Sequence, residues 1–284
     1  MNRLSFVLVA LVGILAGGLG VSLLRPAAPG LADSDVRGIV SEMVATGKLQ
    51  SAAIDPKQIE SYLLSDPDIL QRMNDRLADE KALAQRKATK DLIDAHYADI
   101  YQAPDSVVLG NPKGDVTLVE MFDYNCVYCR QSLPDMAQLL QDDPNLRIIL
   151  RQFPILSQGS IEAARVAILV SENPKLNYWD FHQKLFAMRA GTVDAGQALQ
   201  VAEEVGGDRA ELMVDMDSNH TTDVIQKSYD LAKALSMNGT PSYVLGDELI
   251  FGAMPLDQMK QKIANLRACG STDCPTRTST GTTG

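Results

Sequence analysis

The chain has 284 residues, 45% of them hydrophobic and 22% charged, the proportions of an ordinary globular protein. That length exceeds what one small core needs and fits a large domain with an appendage. With a formal net charge of −10 and no basic stripe to release counterions, the composition argues against nucleic acid as a partner.

At the N-terminus, Arg3 precedes "LSFVLVALVGILAGGLGVSLL", residues 4–24, a run of 21 without a charge. A signal peptide's apolar core spans about 7–15 residues, whereas a membrane-spanning helix needs about 20. Residues 1–32 therefore read as an uncleaved anchor or a cleaved signal, with Gly30 and Ala32 at the small-residue positions of a cleavage site. Either one exports the rest of the chain. In an oxidising compartment, four cysteines in two close pairs, Cys126 with Cys129 and Cys269 with Cys274, point to disulfide chemistry.

After the linker "RPAAPGLADSD", Val36, Ile39, Val40, Met43 and Val44 fall at helical spacing. Asp55–Pro56 and Asp66–Pro67 each offer an N-cap followed by proline at the first helical position. From there no Gly or Pro appears until Pro104, which predicts one long helix. Its apolar residues, Ile69, Met73, Leu77, Ala84, Ala88 and Leu92, lie near one narrow stripe, a seam suited to self-association. Residues 33–104 thus read as a helical arm.

"APDSVVLGNPKGD" reads as a turn-rich boundary opening a second domain, 105–270. "VTLVEMF", 116–122, predicts a buried strand, Cys126 opens a helix to about Leu140, and "LRIILRQF", 146–153, predicts a strand parallel to the first. Residues 157–239 are helical almost throughout. "PSYVL", "GDE" and "LIFG" give a hairpin, and a last helix runs from Leu256 to Ala268. The polar residues 271–284 read as a disordered tail.

"FDYNCVYCR", residues 122–130, carries the chemistry. A Cys-x-x-Cys pair at a strand-to-helix turn sets its first sulfur at a helix N-terminus, where free N–H groups and the macrodipole favour the thiolate. Cys126 is then the attacking sulfur and Cys129 the resolving one. A zinc site would need two more ligands, but Cys269 and Cys274 lie far along the chain and His96, His182 and His220 are scattered. A staple at 126–129 would remove little chain entropy. Cys269–Cys274 reads as a small structural disulfide, and the aromatics of "YWDFHQKLF" as packing.

"VEMFDYNCVYC", the helical insertion, and "GTPSYV" before a hairpin resemble the DsbA branch of the thioredoxin-fold oxidoreductases. "YLLSDPDIL" and "VLGNPKGDVTLVEMFDYNC" are most similar to the suppressor-of-copper-sensitivity protein C type. The resemblance covers about residues 35–268. It implies an α/β thioredoxin fold with a helical insertion, and an exported, periplasmic enzyme acting on protein thiols and disulfides without a cofactor or metal. It matches Pro241 to the cis-proline facing the redox pair, Thr240 to the residue whose backbone meets substrate, and Glu120 to a buried acid that moves the resolving thiol's proton. It also implies a membrane partner that recharges the site, and assembly through the arm, with a trimer favoured. Val127 and Tyr128, which would border substrate, stand where strongly oxidising members carry a histidine, so isomerase or reductase activity is favoured over oxidase. The alternative is a copper-binding protein holding Cu(I) on the same soft thiolates.

Overall fold

The computed structural model describes residues 61, 65, 66 and 68–274. The segment 1–32 read as an anchor or signal, most of the arm before Ile69 and the tail from residue 275 lie outside the described residues. Among the described residues, no helix is long and apolar enough to cross a membrane.

Among the described residues the first helices with set bounds are α1, Ile69–Ala95, and α2, Tyr97–Tyr101. The single helix expected up to Pro104 is therefore broken at His96, whose φ of −107° and ψ of 20° leave the helical range. The break lets Ile100 join Ile93 in a buried cluster with Val119, Met121, Ile149 and Val244 of the sheet. The chain divides into two units, Met1–Asn74 and Asp75–Gly284. Ile93 and Ile100, within the stretch read as the arm, are buried in the core of the second unit.

Five strands complete the sheet: β1 Val107–Gly110, β2 Val116–Phe122, β3 Leu146–Gln152, β4 Ser242–Leu245 and β5 Glu248–Phe251, in the spatial order β1-β3-β2-β4-β5. β2 and β3 are parallel, and the remaining neighbours are antiparallel. The crossover between β2 and β3 is α3, Val127–Asp142. β1 forms within the stretch read as a turn-rich boundary. Its four residues gain strand form by pairing with β3, Val107 opposite Leu150 through Gly110 opposite Arg147. Gly110 closes it at φ 71°, where a Cβ would lie 2.5 Å from the Leu146 carbonyl oxygen.

Alternation along β2 fixes the two faces of the sheet. Leu118 and Phe122 enter the larger core cluster with Met136 and Leu139 of α3, whereas Val119 and Met121 face the Ile93–Ile100 side. Glu120 follows the parity of Leu118 and Phe122, so it points under α3.

The insertion comprises α4 Gln158–Glu172, α5 Tyr178–Ala187, α6 Ala195–Glu204, α7 Arg209–Asp215 and α8 Asn219–Ala234. Each begins at a side-chain cap: Ser157, Asn177, Asp194, Asp208 and Ser218, with a full capping box between Asp194 and Gln197. The last helix is α9, Leu256–Cys269. The chain beyond it does not begin as a disordered tail. Thr272 is 2% exposed, and its backbone N–H and hydroxyl both donate to Asp247 Oδ1, at 2.9 and 3.0 Å.

Candidate active site

Cys126 is the N-cap of α3, in extended conformation at φ −75° and ψ 120°. Its Sγ accepts the Cys129 backbone N–H at 3.2 Å, the role that Ser or Asp plays at other caps. The Cys126 thiol in turn donates to the Thr240 carbonyl oxygen at 3.2 Å. Thr240 precedes Pro241 across a cis peptide bond, at the entry to β4. The sheet order, with β4 beside β2, sets this loop against the start of α3. The structure therefore brings together Cys126, Cys129, Thr240 and Pro241. Val127 and Tyr128 form an exposed rim beside Cys126, Tyr128 being 62% exposed.

The two thiols are electrostatically unequal. The hydrogen bond with Cys129 brings the Cys126 thiol down to about 6, helped by Thr240 and by the N–H groups of Cys129 and Tyr128 against the opposing effect of burial. Burial pushes the Cys129 thiol far up, with further contributions from Cys126 and from the charge of Glu120. A thiolate forms first on Cys126, and Cys129 is held as a thiol.

Glu120 lies on β2 directly opposite Tyr243 of β4. It is 3% exposed, and burial pushes its carboxyl up to about 8. Burial also raises the Tyr243 phenol, and the neighbouring Glu120 charge adds to the shift. A carboxylic acid with that value can give and take a proton near neutral pH.

Residues that sequence reasoning passed over hold the loop ahead of Cys126. Asp123, 1% exposed, accepts the Asn125 N–H on Oδ1 at 2.7 Å and the Ile155 and Leu156 N–H groups on Oδ2, each at 2.9 Å. Asn125 reaches in the other direction, into the insertion. Tyr124 is buried with Tyr178 and His182: its hydroxyl lies 3.1 Å from the Tyr178 hydroxyl and from His182 Nδ1. Burial lowers the His182 imidazole to about 3, so it is neutral. The available signal was the polar run D-Y-N between a buried strand and a cysteine, where an ordinary turn requires none of those side chains.

Cys269 and Cys274 are bonded to each other at a Cα–Cα distance of 5.9 Å, where α9 ends. No group of three or more His, Cys, Asp and Glu residues is arranged to hold a metal ion among the described residues.

Residues 117–264 match the family model of the DsbA-like thioredoxin domain. Over 165 residues the chain is 26% identical to disulfide bond formation protein D of Bacillus subtilis, covering 55% of this chain and 74% of that protein. A thioredoxin-like oxidoreductase from Silicibacter pomeroyi superposes with a TM-score of 0.57 at 40% identity, over 60% of this chain and 97% of that one. The catalytic domain of Proteus mirabilis ScsC superposes with a TM-score of 0.54 at 22% identity, over 60% of this chain and 94% of that domain, which shows a shared fold. The chain belongs to the DsbA-like thioredoxin-domain family of thiol–disulfide oxidoreductases.

Proposed function

We propose that this oxidoreductase acts outside the cytoplasm on protein disulfides, as an isomerase or reductase rather than an oxidase. Cys126 is its nucleophile, Cys129 its resolving thiol and Glu120 its internal acid–base. The observation that carries the reading is the asymmetry of the pair: the Cys126 sulfur caps α3 beside an exposed rim, and Cys129 is held inside as a thiol. The Cys126 thiolate attacks one sulfur of a substrate disulfide, and the other sulfur leaves as thiolate and takes up a proton. The mixed disulfide then either passes to another substrate thiol, which isomerises the substrate, or is attacked by Cys129, which leaves the substrate reduced and the pair oxidised. Glu120 receives the Cys129 proton in that second step. The Thr240 carbonyl and Pro241 border the attacked sulfur, and Val127 and Tyr128 supply an apolar rim for the substrate chain.

The preference for isomerisation or reduction rests on how strongly the thiolate is stabilised. Val127 and Tyr128 place no imidazolium between the two cysteines, so one stabiliser of the Cys126 thiolate that strongly oxidising members carry is absent. The disulfide of such a pair is a weaker oxidant. The sequence run at 4–24 supports a periplasmic enzyme tethered to, or released from, the inner membrane, with a membrane redox partner that recharges the pair. The exposed apolar residues Leu70, Met73, Leu77 and Leu83 of α1 support assembly through the arm, as a trimer.

The deciding experiment is equilibration of the Cys126–Cys129 pair against glutathione, together with turnover of a scrambled-disulfide substrate. A potential well below that of strong oxidants, with reshuffling of the substrate, is expected. A strongly oxidising potential without reshuffling overturns the isomerase assignment. Stoichiometric Cu(I) binding that blocks exchange would replace the enzymatic reading with a copper-binding one.

A further inference from the structure

Asn125 immediately precedes Cys126, and its side chain is engaged entirely by the helical insertion. Its Oδ1 accepts the Val193 backbone N–H at 2.8 Å. Its Nδ2 donates to the Val193 carbonyl at 2.8 Å, to Ser160 Oγ at 3.0 Å and to Ser157 Oγ at 3.2 Å. The amide thus binds both backbone groups of one residue, as a neighbouring strand would, and its orientation is set by the partners: only Oδ1 can face an N–H and only Nδ2 a carbonyl. Val193 sits between α5 and α6 and is 1% exposed.

The meeting place is built tightly. A Cβ at Gly159, in the first turn of α4, would lie 2.5 Å from the Val193 carbonyl oxygen. Ser157 caps α4 through the Ser160 N–H at 3.0 Å, and its hydroxyl lies 3.0 Å from that of Ser160. Two segments far apart in sequence, the start of α4 and Val193, therefore converge on one buried side chain, 6% exposed, one residue before the sulfur. From the sheet side, Asp123 holds the Asn125 N–H, so residue 125 is pinned by its backbone to one layer and by its side chain to the other.

We propose that Asn125 is a positioning residue, the joint through which the helical insertion holds the Cys126 sulfur at the start of α3. The Sγ contacts to the Cys129 N–H and to the Thr240 carbonyl, both 3.2 Å, depend on where the backbone enters the cap. With the joint cut, Asp123 and the buried Tyr124 still hold the loop, but residue 125 itself is fixed only through its backbone N–H, and the sulfur drifts from the N–H groups that favour its charge. The charged and titratable groups whose electrostatics are tied to Cys126 are Glu120 of β2 and Cys129 and Arg130 of α3. Asn125 changes the charge of none of them, so its effect acts through geometry. The inference rests on Cys126 being the attacking thiol.

The test is a titration of the reduced full chain by thiolate absorbance, paired with the rate of iodoacetamide alkylation. Cys126 alone ionises in the acid range, because Cys129 is held as a thiol. Asn125→Ala is expected to move the Cys126 midpoint up by about one unit, which leaves about tenfold less thiolate at about pH 5. The alkylation rate at about pH 9, where both forms are ionised, is expected to stay unchanged. Asn125→Leu keeps the bulk, makes none of the four bonds and adds no charge beside the sulfur. It should show the same shift, and both variants should lose the protection of the Val193 amide from hydrogen exchange. Should Asn125→Ala not fold, Asn125→Leu and the milder Ser160→Ala decide, the latter with a smaller shift in the same direction. An unmoved midpoint in the folded variants, or an equal loss of rate at both pH values, overturns the proposal. The underlying reading fails separately, if the native chain shows no Cys126-dependent exchange with a disulfide substrate.

Discussion

The Cys126 sulfur lies 3.2 Å from the carbonyl oxygen of Thr240, 114 residues further along the chain. The whole helical insertion is spliced between these two residues. The strand pairing of β2 with β4 is what closes the gap, since Met121 lies opposite Ser242 at the end of both strands. The carbonyl accepts from the thiol, and when the thiol ionises it loses that donor.

Cys126→Ser is expected to bring exchange down to the level of buffer. Cys129→Ser should instead accumulate mixed disulfides, because attack proceeds and resolution does not. Non-reducing electrophoresis after acid quenching and alkylation reads both. Adducts on Cys126→Ser with none on Cys129→Ser would reverse the roles.

Glu120 should give stability a pH dependence of definite sign. Its folded value of about 8 lies above the ordinary 4.5, so the folded protein holds that proton more tightly. The stability this contributes is fully present below about pH 4.5 and is lost as pH rises through about 8. Glu120→Gln should therefore flatten the decline in stability between about pH 5 and pH 8. Urea unfolding at about pH 5 and pH 8 measures it. Exchange by Glu120→Gln should slow at the resolving step and not at attack.

Reduction of Cys269–Cys274, or the double change Cys269→Ser with Cys274→Ser, should leave exchange nearly intact. The loop this bond closes grips other elements: Ser271 Oγ donates to Asp247 Oδ2 at 2.6 Å, and Arg86 of α1 bridges to Asp273 at 2.7 Å. Asp247→Ala, which strips the buried Thr272 N–H of its acceptor, should cost about 1–3 kcal/mol. Thermal melts compare the two, and a loss of exchange as complete as that of Cys126→Ser would show the second pair to be a redox relay.

Self-association through α1 predicts an oligomer by light scattering at tens of micromolar, about the range where a narrow seam should pair. Leu77→Glu with Leu83→Glu should dissociate it and leave dithiol oxidation unchanged while reducing isomerisation. These two side chains are 49% and 65% exposed, so the change does not touch the core. A chain shortened to Pro104 is the wrong test, because it also removes Ile93 and Ile100 from beneath the sheet. A native chain that scatters as a monomer would remove the assembly proposal.

The strands from Val116 and from Leu146, the helix starting at Cys126, the hairpin after Pro241 and the last helix were legible in the sequence, because each carries its signal locally. An unbroken apolar run, a capping position or a turn residue acts on its immediate neighbours, and tertiary structure reinforces it. The sequence by itself also narrowed the chemistry open to the chain, since two cysteines with two residues between them at a helix start offer a reactive thiolate for exchange or for a soft metal. Other features were decided only when distant segments met. β1 is a strand because β3 lies beside it, and the helix breaks at His96 because Ile100 has a core to enter. Thr272 is ordered by Asp247, and Asn125 finds its four partners in residues 32–68 positions away. Hydrogen bonds and burial of this kind depend on which surfaces the topology brings together, and the local pattern of residues around each partner holds no record of that meeting.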